Sequence, residues 1–229
     1  TMIRNVTFYD VLTALGDLIM PRECIVCGRP LALRERHLCI GCLADLPRTY
    51  FSNMPHNQLA DRFNALIQRD LDATCVFEEY SYATSLFFYR SQTGYRLITP
   101  RLNYHSDYAA GRYFASMLGR EMASSPVYSD VDAVIPVPLH WTRLWPRGHN
   151  QAEIIAEVLA SFLGAEMRTD ILYRSRRTRT QTKLSVEGKA RNVTGAFQVR
   201  RMRAFPEYSH ILLVDDVFTT GATLRSCQK

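Results

Sequence analysis

Two groups of residues in this 229-residue chain have the types and the spacing to do chemistry. The first lies in ILLVDDVFTTGAT, residues 211–223, where four apolar residues run into Asp215 and Asp216 and then into Thr219, Thr220, Gly221, Ala222 and Thr223. A buried strand that ends in paired carboxylates offers them to ligand hydroxyls, to a bridging Mg2+, or to both. The turn that follows opens a helix expected over 221–228. Backbone N–H groups and threonine hydroxyls at the positive end of a helix suit a phosphate, and Gly221 permits close backbone approach. A sugar phosphate would satisfy both halves of the stretch. An aspartate capping a helix would account for Asp216 alone, but not for the pair with its threonine-rich turn.

The second group is Cys24-Ile-Val-Cys27 and Cys39-Ile-Gly-Cys42, two Cys-x-x-Cys pairs with 11 residues between them. Four thiolates favour tetrahedral Zn2+ with no open position, hence a structural site. An iron–sulfur cluster would use the same donors, and disulfides are the expectation only for an oxidising compartment. His37 reads as a surface residue, and Cys75 and Cys227 as small apolar ones.

Charge adds a third feature. The net charge is +6, but residues 168–203 hold eleven Lys/Arg against Asp170 and Glu187, so this segment carries +9 and the remainder −3. One basic segment on a mildly acidic protein points to a surface that meets a polyanion. Within it stand Arg176, Arg177, Arg179, Lys183, Lys189 and Arg191. Trp141, Trp145 and Tyr173 are available for stacking on single-stranded bases, and equally for packing.

The elements that must position these groups can be read from periodicity. Phe8, Val11, Leu12, Leu15, Leu18 and Ile19 recur at helical spacing until Pro21. Residues near Asn53, Pro55, His56 and Asn57 read as linker, and alternating aromatics over 76–89 suggest a hairpin. Helices are expected over 94–103 and 107–122. Then strand and helix alternate: a buried strand over 131–138, a helix over 151–163 stopped by Gly164, GAFQV, and the 211–214 strand. Continuous apolar strands separated by helices imply an α/β fold with a parallel sheet covered on both faces. The composition, 47% hydrophobic and 22% charged, is that of a globular protein. No apolar run reaches the length of a membrane span and no signal peptide is evident, so the cytoplasm is the expected compartment. An α/β domain rarely ends two turns into a helix, so a further helix and strand are expected after Lys229.

The 211–223 string resembles the 5-phosphoribosyl-1-pyrophosphate (PRPP) motif of type I phosphoribosyltransferases, with Phe218 where an aliphatic residue is more usual. That resemblance implies that Asp215 and Asp216, the catalytic pair, hold the ribose 2- and 3-hydroxyls directly or through Mg2+. Thr219–Thr223 would take the 5-phosphate. VIPVPLHWTRLWPRGHNQAEIIA (134–156) and RTQTKLSVEGKARNVTGAF (179–197) resemble two further signatures of the ComF competence family, which joins a four-cysteine zinc motif to a phosphoribosyltransferase-like domain. His149 departs from the family's more usual aromatic residue and reads as packing. The resemblance implies a helix and zinc module over 2–47, a connecting segment over 48–74, and a phosphoribosyltransferase type I-like parallel sheet flanked by helices over 75–229. It also implies pyrophosphate contacts from Arg147 and Gly148, with Arg143 and Asn150 nearby. A basic lid would carry Arg177, Arg179, Lys183, Lys189 and Arg191. The implied role is DNA uptake with single-stranded DNA contact and a DNA-translocating helicase as partner. The alternative is an active phosphoribosyltransferase of nucleotide metabolism using PRPP and Mg2+.

Overall fold

The computed structural model describes residues 15–17, 20–71, 78–89, 92–104, 107–139, 148–175, 195–200 and 207–228. The chain divides into two units: Thr1–Arg48 with Phe87–Arg101, and Thr49–Leu86 with Leu102–Lys229.

The first unit contains the cysteine pairs and a five-residue helix α1, Ile40–Ala44, whose N-cap is Cys39. A single antiparallel bridge, Glu23↔Pro30, closes the loop that carries the first pair. Leu31 and Leu38 are buried, as are Cys24 and Cys39. Residues 94–97 form a 3-10 turn that runs into helix α3, Ile98–Tyr104. A Cβ at Gly94 would fall against the carbonyl of Val26, so only glycine lets the two segments approach.

The second unit begins with helix α2, Gln58–Leu71, inside the stretch that reads as a connecting segment. Ala60, Phe63 and Ile67 form its buried stripe. Asn57, which looks like linker composition, is instead its cap: the side-chain oxygen accepts from the N–H groups of Leu59 and Ala60 at 3.0 Å. Residues 78–89 do not form the expected hairpin. Asparagines on α2 hold this stretch: Asn64 exchanges hydrogen bonds with the backbone of Ser81, and Asn57 donates to the carbonyl of Ala83.

The centre of the second unit is a three-stranded parallel sheet in the order β2-β1-β5. Its strands are β1 Ala133–Pro136, β2 Glu166–Met167 and β5 Ile211–Val214. The middle strand, β1, is buried at every position. Helices α4 (Tyr108–Ala123) and α5 (Gln151–Leu163) pack on one face. There Met122, Val134, Ala156, Leu159 and Val214 make one core. On the other face, Ile135 and Val137 meet Ile171, Leu172, Phe197 and Cys227 in a second core. The α/β architecture with a parallel sheet flanked by helices is therefore present. Gly164 stops α5 at φ 67, a left-handed value that glycine adopts without strain.

One departure concerns β3 (Leu172–Arg174) and β4 (Phe197–Val199), which form a separate antiparallel ribbon instead of extending the sheet. Each buries only its first residue, Leu172 in β3 and Phe197 in β4. Among the described residues, no helix is long and apolar enough to cross a membrane.

Candidate functional site

The carboxyl ends of β1 and β5 lie side by side, with Pro136 opposite Val214 and the N–H of Val137 bonded to the carbonyl of Val214 at 2.8 Å. In the chain, β1 continues through α5 to β2 on one flank, while β5 occupies the other. Such a point of diverging connections is where an open α/β sheet forms a ligand crevice. Both segments singled out by sequence lead away from it.

Asp215 and Asp216 follow β5 directly. Asp215 is half-buried and Asp216 exposed, and the Asp215 carboxylate accepts the N–H of Asp216 at 2.9 Å. Burial, with the adjacent Asp216 charge, pushes the Asp215 carboxyl up to about 7, opposed by the positive charge of Arg174. The turn then brings Thr220 Oγ1 to the N–H of Ala222 at 3.4 Å. Gly221 is buried with φ +77, and a Cβ there would press on the Phe218 ring at 2.9 Å and the Phe63 ring at 3.3 Å. The site therefore needs glycine twice, for its backbone angle and for space. Helix α6, Ala222–Gln228, starts immediately afterwards, with the N–H of Arg225 on the carbonyl of Gly221 at 2.9 Å.

On the β1 side, Gly148 is exposed with φ 73 just before α5. Asn150 caps α5 by accepting from Ala152 N–H, and donates Nδ2 to the carbonyl of Val137 at 3.0 Å. That bond returns the start of α5 to the edge from which Asp215 emerges. His149 packs as an aromatic residue would: it is buried, its ring lies 4.5 Å from that of Tyr108, and Nε2 is 3.2 Å from Gln151 Nε2. Arg143 and Arg147, Trp141 and Trp145, and the basic residues Arg176, Arg177, Arg179, Lys183, Lys189 and Arg191 lie outside the described residues, as does Cys75.

Three residues near Asp215 and the turn escape the sequence reading. Arg174 ends β3, within the basic segment; its guanidinium carbon lies 5.0 Å from the Phe197 ring centroid, and its charge acts on Asp215. Phe63 of α2 meets Phe218 edge-on with centroids 6.4 Å apart. Arg225 is buried, with its guanidinium bonded to Asp70 and Glu78. The only sequence signal for Phe63 was the helical stripe of α2. An isolated arginine carries no signal at all.

In the first unit, Cys24, Cys27, Cys39 and Cys42 place all four sulfur atoms within 4.8 Å of one another. Cys27 Sγ and Cys39 Sγ are 3.8 Å apart, the edge of a tetrahedron with Zn–S bonds of about 2.3 Å. None of the four is in a disulfide. Burial raises the Cys24 thiol, but N–H donors from Cys39, Cys27 and Val26 outweigh it and bring it down to about 7. Burial and the neighbouring thiols push Cys42 well above the usual range. Glu35 frames the loop between the pairs, accepting from Ala32 N–H at 2.7 Å and Ile40 N–H at 2.6 Å. Tyr95 donates its hydroxyl to the Cys42 carbonyl at 3.0 Å. The donor set and spacing fit one structural metal ion.

Among curated proteins, competence protein F of Haemophilus influenzae is 26% identical over 210 residues, covering 90% of this chain and 89% of that protein. The chain is similar to competence protein F over most of its length. The DNA utilization protein YhgH of Salmonella typhi is 38% identical over 93 residues, 41% of this chain and 40% of that protein. YhgH of Escherichia coli strain K12 is 36% identical over the same length, again 40% of that protein. The match to competence protein F thus spans nearly both chains, whereas the YhgH matches span two fifths. No protein-family model matches the chain, and no solved structure matches it significantly.

Proposed function

We propose that this protein serves DNA uptake, and that its α/β unit is a type I phosphoribosyltransferase-like domain whose crevice takes the ribose 5-phosphate group of PRPP or of a related compound. The observation that carries the reading is the position of Asp215-Asp216 and the Thr219–Thr223 turn, at the carboxyl edge where β1 and β5 meet. Paired carboxylates at that edge would hold the ribose hydroxyls directly or through Mg2+, a hard cation served by one or two carboxylates and the substrate's own phosphates. The turn would receive the 5-phosphate. Gly148, with Arg147, would face the pyrophosphate from the start of α5. The relatives named for competence and DNA utilization support the uptake role.

The basic segment suits polyanions of both kinds. Arg177, Arg179, Lys183, Lys189 and Arg191 would close over PRPP or follow the backbone of single-stranded DNA. A DNA-translocating helicase is the partner that the uptake role implies. In the first unit, Zn2+ on the four cysteines would be structural. Turnover is the second reading, favoured by Arg174: a cation of the basic segment whose charge acts on Asp215 can stabilise a departing pyrophosphate.

The test is calorimetric titration of PRPP with Mg2+ into the protein and into a Thr220→Ala, Gly221→Ala double variant. Saturable binding that the double variant lacks is expected. Equal affinity in both would remove the 5-phosphate from this turn.

A further inference from the structure

The Asp215–Gly221 loop does not stand on its own strand and helix alone. Arg225 sits one turn into α6, and its main-chain N–H closes that turn on the carbonyl of Gly221 at 2.9 Å. Its side chain is 6% exposed, and every donor group of the guanidinium is engaged. Nε donates to Asp70 Oδ2 at 2.9 Å, Nη1 and Nη2 fork onto Glu78 Oε2 and Oε1 at 2.7 and 2.8 Å, and Nη1 also reaches Gln228 Oε1 at 3.1 Å. Asp70 lies in the last turn of α2 and Glu78 opens the stretch that runs back along α2. Gln228 extends the network by donating to Ser81 Oγ at 3.2 Å, and Ser81 is held by Asn64 of α2. A second contact is apolar: Phe63 of α2 lies edge-on against Phe218, and both rings fill the space that a Cβ on Gly221 would need.

We infer that Arg225 is a positioning residue that latches α2 and residues 78–81 to the Asp215–Gly221 loop, so that α2 forms the back wall of the proposed ribose-phosphate site. The inference rests on that reading for its ligand, but not for its mechanics. A buried arginine with two carboxylates has one low-energy arrangement, because each unmade bond would leave a buried charge unpaired. That arrangement fixes where α6 begins, and with it the direction of the Gly221 carbonyl and the Phe218 ring. Lysine cannot replace it, since a single ammonium cannot fork onto Glu78 and also reach Asp70.

The experiment compares wild type, Arg225→Lys and Asp70→Asn as full chains, by amide hydrogen exchange and by titration with PRPP and Mg2+. In Arg225→Lys, exchange over 215–224 and 58–71 should accelerate about tenfold while α5, over 151–163, keeps its wild-type rate. PRPP affinity should fall about tenfold in parallel. Asp70→Asn replaces a carboxylate that is 33% exposed, so the fold survives, with about threefold changes in the same two segments. Unchanged exchange over 215–224, or equal acceleration in α5, overturns the latch, as does PRPP affinity within twofold of wild type in a protein that binds it. Selective acceleration in a protein whose wild type binds no PRPP upholds the latch and removes the ribose-phosphate reading.

Discussion

Asp215 is the residue on which the chemistry of the site turns. Its carboxyl is raised to about 7 by burial and by Asp216, so the folded protein holds a proton that the unfolded chain gives up near pH 4. The stability that this proton contributes is fully present below the unfolded pKa and is lost as pH rises through the folded one. Asp215→Asn removes the dependence. In the absence of Mg2+ and ligand, the variant should melt higher than wild type at pH 8, by on the order of 5 °C, with the gap closing as pH falls towards 4. Thermal melts across that range check it, and a gap independent of pH would contradict it. The carboxylate pair was legible in sequence because its residues are contiguous. Arg174 and Arg225 were not, because the charge of one acts on Asp215, and the other bonds Asp70 and Glu78, only after distant segments are folded together.

At the scale of elements, strands and helices with a single strong period were read almost to the residue. The 211–214 strand and α5 over 151–163 stand where the apolar pattern puts them. What sequence missed was α2, whose cap Asn57 sits among the polar residues that resembled a linker. The 78–89 stretch alternates like a strand, yet the side chains of α2 take the place of a partner strand. The cysteine module is a local device and was correspondingly legible. Its loop is bonded to Glu35 and closed by the sulfur cluster, so order should depend on the metal. Cys24→Ser is expected to lose bound zinc together with exchange protection over residues 24–44. Metal analysis with hydrogen exchange checks this, and a variant that loses protection while keeping its zinc would exclude a structural ion.

For the whole molecule, the uneven charge matters more than its sum. A +9 segment on an otherwise −3 protein should bind single-stranded DNA with a steep salt dependence. If Arg177, Arg179, Lys183, Lys189 and Arg191 all meet phosphates, the slope of log affinity against log salt should be about −3.5. Fluorescence anisotropy from low to moderate salt measures it, and a slope near zero would exclude the basic segment as the DNA contact. The similarity to competence protein F covers 90% of this chain. A site for ribose and phosphate is one that PRPP and a nucleic-acid strand can share. The most direct measurement is therefore calorimetric titration of PRPP with Mg2+ into the full chain, with and without saturating single-stranded DNA. One PRPP should bind per chain, and saturating DNA should weaken it. Absence of PRPP binding in the DNA-free protein would contradict it.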